Sequence, residues 1–203
     1  MCGSCYAFSA ISALESAYVL AGYPQVIMSP QEIIDCTNST NKNLGCNGGW
    51  YYWAYDWLRQ NKAMSESDYP YVSGTTATVY QCQYNEARGL INVNTYQQVA
   101  PDSQSIMDAL MIGPVNVAIA AENETVRNYK SGILTEYDYC SDTVDHAVVV
   151  VGYGYEGNQG YYIVRNSWNT WWGEEGYMRI GISNNGNGIC GINQQVFNVW
   201  VNV

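Results

Sequence analysis

The chain of 203 residues holds a single histidine and only eight basic residues against eighteen acidic ones. One histidine leaves too few soft ligands for a metal centre unless cysteines supply the rest. A formal net charge of −10 lacks the clustered positive charge that nucleic acid or an anionic membrane surface demands. No apolar run reaches the length of a membrane span, and the longest, 147–151, has the length of a buried strand. No basic leader with an apolar stretch behind it opens the chain, so no signal peptide is read in it. Internal repeats and low-complexity linkers are absent as well. With 47% hydrophobic and 13% charged residues, what is left is a folded protein, long enough for one large domain or two packed halves.

Cysteine, by contrast, is plentiful. Cys2, Cys5, Cys36, Cys46, Cys82, Cys140 and Cys190 read as a disulfide framework with one residue left over, and spacing alone leaves the connectivity open. A disulfide framework forms in an oxidising compartment, which a leader must address. The sequence is therefore expected to be the processed or truncated part of a longer precursor.

Two halves of different character follow one another. Residues 4–21 carry Phe8, Ile11, Leu14 and Tyr18 at three- and four-residue spacing before Gly22 and Pro24, which predicts an amphipathic helix with Cys5 in its first turn. Ser29-Pro30-Gln31-Glu32 predicts a second helix opened by a capping box. A third is expected over 49–61, followed by a poorly patterned stretch over 65–89. After one more helix at 103–111, strands are expected at 115–121, 147–153, 161–165, 176–182 and 196–201. The reading is an α+β fold, with a helical lobe over 1–95 and a β-rich lobe over 96–203.

Chemistry gathers at three places. Cys5 stands at a helix start, where backbone N–H groups stabilise the thiolate that acts as nucleophile. His146, the sole histidine, opens the most apolar strand, and a neutral imidazole there can take the thiol proton. Asn166 closes the strand over 161–165 and is the group to orient the ring, with Trp168 beside it to keep water from the Asn–His hydrogen bond.

Around these residues the sequence resembles the papain and cathepsin family of cysteine peptidases. Cys2-Gly3-Ser4-Cys5-Tyr6-Ala7-Phe8-Ser9 is similar to the family's nucleophile segment. Gly45-Cys46-Asn47-Gly48-Gly49, Asp145-His146-Ala147, Gly152-Tyr153-Gly154, Asn166-Ser167-Trp168 and Trp172-Gly173-Glu174-Glu175-Gly176-Tyr177 follow in family order over nearly the whole chain. The resemblance implies a two-lobed fold, helical on the left and an antiparallel β-barrel-like lobe on the right, with the active-site cleft between. It pairs Cys2 with Cys46, Cys36 with Cys82 and Cys140 with Cys190, leaving Cys5 over. It implies an endopeptidase in which Cys5 attacks the peptide carbonyl, His146 protonates the leaving amine, and water hydrolyses the thioester. The oxyanion hole would take the Cys5 backbone N–H and a glutamine side chain that the family places ahead of Cys2, and this chain begins at Met1.

By the same resemblance, substrate is bound by Gly3, Asn47, Gly48, Gly49, Trp50, Tyr51, Ala118, Val144, Asp145, Ala147 and Gln195. Trp50, Tyr51, Ala118, Val144 and Ala147 would line an apolar pocket for the residue two before the scissile bond, with Gln195 near its floor. Gly48 and Gly49 would offer backbone to an extended peptide. Tyr6 stands where tryptophan is more usual, and Asn169 and Trp171 occupy positions often held by glycine. With one histidine, the paired histidines of the occluding-loop carboxydipeptidases cannot be present. Asn38-Ser39-Thr40 and Asn123-Glu124-Thr125 are sequons, making Asn38 and Asn123 candidate N-glycan sites. Neither metal nor cofactor is expected. The expected partners are peptide and protein substrates, the chain's own pro-region and cystatin-like inhibitors, in a lysosome, vacuole or secretion. The competing reading is a truncated or non-catalytic papain-fold protein kept for binding or structure.

Overall fold

A computed structural model describes residues 1–38 and 42–202. Its elements run α1 (Cys5–Leu20), α2 (Pro30–Cys36), α3 (Tyr51–Leu58), β1 (Ala63–Met64), α4 (Ser73–Thr76), β2 (Gly89–Ile91) and β3 (Val93–Gln98). They continue as α5 (Ser103–Leu110), β4 (Val115–Ile119), α6 (Glu124–Arg127), β5 (Ile133–Leu134), β6 (His146–Glu156), β7 (Gln159–Arg165), β8 (Tyr177–Gly181) and β9 (Phe197–Val201). Two compact units emerge, one of residues 1–97 with 199–203 and one of residues 98–198. Among the described residues no helix is long and apolar enough to cross a membrane.

The first unit is built on helices. Of the apolar stripe predicted for α1, Ile11, Leu14 and Tyr18 are buried and Phe8 is half-buried, and the helix stops before Gly22, whose φ is +91°. Every residue of α2 is buried, including Gln31, Glu32 and Asp35. Proline at its first position needs no N–H partner, and Ser29 caps it by accepting the Glu32 N–H at 3.0 Å. Only that half of the expected capping box forms. The Ser29 N–H is already spent on the Met64 carbonyl, and the Glu32 side chain turns inward. There it accepts the Met64 N–H at 2.7 Å and the Trp57 indole N–H at 3.4 Å. Helix α3 is shorter than its aromatic run implied, because Gly48 (φ +99°) and extended Trp50 precede it. Cys2–Cys46 and Cys36–Cys82 cross-link this unit.

The second unit is built on strands. A seven-stranded sheet runs β3–β9–β4–β6–β7–β8–β5, in which β9–β4, β4–β6, β6–β7 and β7–β8 are antiparallel and β5–β8 is parallel. Strand β6 is central because His146–Val150 is buried throughout, paired in register with β4 from Val115↔Val150 to Ile119↔His146. A buried cluster including Val117, Val148, Val164, Met178, Ile180 and Trp172 fills one side, each aliphatic side chain stabilising by about 1.5–3 kcal/mol. The sheet is open: β5 ends it and pairs only with β8, so the barrel-like lobe expected from the sequence is an open, mostly antiparallel sheet among the described residues. Cys140–Cys190 cross-links this unit.

Candidate active site

Cys5 is the first residue of α1 and the one cysteine outside the three disulfides; it is half-buried. No side chain caps this helix and no acidic residue lies in its first turn. Ser4, at the cap position, instead shares a hydrogen bond with the Tyr71 hydroxyl at 2.8 Å. The positive end of a sixteen-residue helix dipole is thus left to the thiol, which favours its ionised form.

The segment after Leu44 is fastened to the nucleophile's own segment. Cys46 is bonded to Cys2, the Gly3 N–H donates to the Cys46 carbonyl at 2.8 Å, and the Tyr6 hydroxyl donates to the Gly45 carbonyl at 3.0 Å. Beyond it, Gly48 takes a φ that disfavours any side chain, and a Cβ on Gly49 would lie 2.1 Å from Asn43 Oδ1. That oxygen accepts the Trp50 N–H at 2.8 Å, so Gly49 is glycine for packing within the chain whatever else approaches it. Gly3 and Asn47 are exposed, and Trp50 is half-buried. Tyr51 has 0% exposure and packs edge-on against Trp50 and Tyr52, so it offers no surface to a peptide, contrary to the sequence-based expectation. Alternating aromatics in a helix cannot be told apart as lining or core until the helix's facing is known.

In the second unit His146, 9% exposed, begins β6. One of its ring nitrogens, Nε2, lies 2.8 Å from Asn166 Oδ1. That same oxygen accepts the Ser167 N–H at 2.8 Å, which identifies it as the carbonyl end of the amide. Nε2 must then carry the proton, and Nδ1 presents the basic lone pair. Burial pushes the imidazole pKa below its ordinary value, opposed by the Asn166 hydrogen bond and the negative charge of Asp145. The ring is therefore held as a neutral base. Asp145 itself is exposed, its carboxylate accepting the Ala121 N–H at 2.7 Å.

Asn166 is fixed through its backbone, whose N–H donates to the Gly176 carbonyl at 3.0 Å, while its buried Nδ2 has no hydrogen-bond partner among the described residues. Trp168 lies 4.8 Å from the His146 ring and covers it at a 32° tilt. Trp168 in turn meets Trp172 edge-on at 5.2 Å. Trp172 is the residue whose part here sequence reasoning did not single out. Its indole N–H is shared by the Val126 and Arg127 carbonyls at 3.2 Å each, anchoring the 166–176 loop to α6. Two tryptophans four apart, the second 1% exposed, are the signal that marks it. Asn169 adopts φ +72°, the region that explains why glycine is usual there and that asparagine tolerates. Trp171 stands exposed.

Ala118 and Ala147 are register partners between β4 and β6, next to the Ile119↔His146 pair, and both are buried; Val144 and Gln195 are half-buried. Of the two sequons, Ser39 and Thr40 lie outside the described residues. The Asn123 amide caps α6, accepting the Val126 N–H and donating to the Ala120 carbonyl, both at 2.9 Å.

Known proteins carry the same pattern. Human Cathepsin L2 (Homo sapiens) is 39% identical over 198 residues, spanning 94% of this chain and 57% of that protein. The chain thus spans about half the length of the curated relatives it matches. The solved bromelain protease of Ananas comosus, in complex with the E64 inhibitor, superposes with a TM-score of 0.88 at 33% identity, covering 98% of this chain and 89% of that one. Digestive procathepsin L 3 of the Tenebrio molitor larval midgut gives 0.88 at 35% identity, covering 98% and 64%. The family model described as "Papain family cysteine protease" matches residues 1–200. With that match along nearly its full length, the chain belongs to the papain family of cysteine proteases.

Proposed function

We propose that the chain is the catalytic part of a cysteine-type endopeptidase, with Cys5 as nucleophile, His146 as base and Asn166 as the residue that orients it. The observation that carries this reading is the 2.8 Å His146–Asn166 bond under Trp168, which leaves Nδ1 as the ring's base. Cys5 supplies the thiol and His146 the base. Nδ1 takes the Cys5 proton, the thiolate adds to the peptide carbonyl, and the Cys5 backbone N–H donates to the developing oxyanion. The imidazolium returns the proton to the leaving amine, and water, deprotonated by the same nitrogen, opens the thioester to acid and regenerated thiol.

Small side chains at Ala118 and Ala147, with Val144 beside them in sequence to His146 and Gln195 and Trp50 as further contacts, favour an apolar residue two before the scissile bond. Gly48 and Gly49 offer backbone to the extended peptide, flanked by Gly3, Asn47 and Asp145. A pro-region and cystatin-like inhibitors are the protein partners this reading implies. The three disulfides fit a lysosome, vacuole or secreted setting. The test is hydrolysis of a fluorogenic peptide with leucine at the apolar position. The unaltered chain should turn it over and the Cys5→Ala chain should not; equal turnover by both would end the reading.

A further inference from the structure

The residue after the nucleophile departs from the commoner tryptophan, and its hydroxyl has a definite partner. Tyr6 is 0% exposed, and its hydroxyl donates to the Gly45 carbonyl at 3.0 Å within the first unit. Burial, and after it the neighbouring charges of Cys5 and Asp35, push the phenol pKa far above its ordinary value, so the group stays a proton donor throughout the working pH range. We propose that Tyr6 is a positioning residue: its hydroxyl sets the placement of the Gly45–Gly49 backbone, which receives the extended peptide, relative to Cys5. This rests on the peptidase reading above and names a determinant of substrate binding within it.

The argument is geometric. Cys5 and Tyr6 are consecutive residues of α1, so anything Tyr6 holds is held in register with the nucleophile. Three ties join residues 2–6 to residues 45–46: the Cys2–Cys46 disulfide, the Gly3–Cys46 backbone bond and the Tyr6–Gly45 bond. The first two grip Cys46 from the side of the chain ahead of Cys5. Tyr6 alone of the three grips from the helix itself, one residue earlier, at Gly45. Gly45 takes φ +60°, and a Cβ there would lie 2.3 Å from Val79 Cγ2, so Val79 closes its other side. With the Gly45 carbonyl fixed, the turn that follows is set by Asn47 N–H to Leu44 carbonyl at 3.0 Å and Leu44 N–H to Gly48 carbonyl at 2.9 Å. The hydroxyl thereby reaches Gly48 through two short hydrogen-bonded steps. Without it, Gly45 keeps its backbone conformation but loses the restraint that refers it to the thiol.

The experiment measures hydrolysis of an extended leucine-containing peptide and alkylation of Cys5 by iodoacetamide, which needs no peptide subsite. Both are run on the full chain and on Tyr6→Phe and Tyr6→Trp. Tyr6→Phe should raise KM for the peptide roughly threefold to tenfold, the worth of one neutral hydrogen bond, with kcat and the alkylation rate little changed. Tyr6→Trp, which keeps an N–H donor on a flat ring, should return KM towards the parent value. A merely structural role would lower the melting temperature and the active fraction of Tyr6→Phe but leave the KM of its folded molecules alone, and that result overturns the proposal. Should Tyr6→Phe fail to fold, Tyr6→Trp decides: parent-like KM supports the role, and raised KM with normal alkylation overturns it. No peptide hydrolysis by the unaltered chain would instead sink the peptidase reading, and this inference with it.

Discussion

Each unit of the molecule buries an ionisable side chain whose pKa is displaced by burial, Glu32 in the helical unit and His146 in the strand unit, and the two respond to pH in opposite senses. In the helical unit Glu32, 0% exposed, accepts from neutral donors, the Met64 and Trp57 N–H groups, and burial lifts its pKa to about 7. Nearby Asp35 is equally enclosed but accepts bonds from Gln31, Tyr69 and the Tyr80 N–H. In the strand unit His146 is also buried, and burial moves its pKa the other way. Desolvation favours the neutral form of either group: the acid is protonated more readily and the base less so. Acid therefore favours the folded environment of Glu32, and a higher pH favours that of His146.

Predictions follow from breaking each side of that contrast. The largest effect belongs to the strand unit's base. His146→Ala should abolish turnover of the leucine peptide while the far-ultraviolet circular dichroism is retained, because the ring lies at the start of β6 and outside its apolar cluster. Asn166→Ala removes the bond that fixes the ring's proton on Nε2 and should lower kcat by about tenfold to a hundredfold, as for loss of a hydrogen bond to a group that becomes charged.

In the helical unit, replacing both Cys36 and Cys82 by alanine should cost about 2–4 kcal/mol in denaturant unfolding. Their loop closes over 46 residues of sequence separation and takes in α3 and residues 59–82 after it.

The pH effects are smaller and of opposite sign. The raised Glu32 pKa contributes stability fully present below its unfolded value, near 4.5, and lost as pH rises through about 7. Amide protection factors around Glu32 and Met64 should fall between pH 5 and 8 in the parent, within the range those values set, and Glu32→Gln should flatten that fall. A parent and Glu32→Gln chain with the same pH profile would remove the helical half of the contrast. The lowered His146 pKa works the other way. Its contribution is present above the unfolded value, 6.5, and lost as pH falls through the lower folded one, so protection factors, exchange corrected for its intrinsic pH dependence, should fall in acid at the start of β6.

Much of this architecture is legible in the sequence, for reasons that differ along the chain. Helix α1 shows in the three- and four-residue spacing of Ile11, Leu14 and Tyr18, because one face of it is buried. Strands β4, β6 and β9 show as β-branched runs because they sit inside the sheet. Strand β3 does not: of Val-Asn-Thr-Tyr-Gln-Gln only Val93 is buried, so it carries no apolar alternation. The open end of the sheet was equally hidden, since the parallel β5–β8 pair joins two residues of β5 to a strand more than forty positions away. Half of the capping box was misleading, because burial drew Glu32 away from its own helix end.

At the candidate site, Cys5, His146 and Asn166 stand in recognisable motifs. The tautomer of His146 needed the Ser167 N–H to identify the amide's oxygen, and the anchoring of Trp172 needed the carbonyls of α6. Neither contact leaves a periodic trace.

The central claim is the proposal that Cys5 is a nucleophile activated by His146. The direct measurement is mass-spectrometric mapping of an epoxide inhibitor on the unaltered chain and on His146→Ala, with turnover followed in parallel. The account predicts one label per unaltered chain, on Cys5, with turnover lost in proportion to labelling, and little labelling of His146→Ala under the same conditions. Labelling elsewhere, or hydrolysis that survives full modification of Cys5, would contradict it.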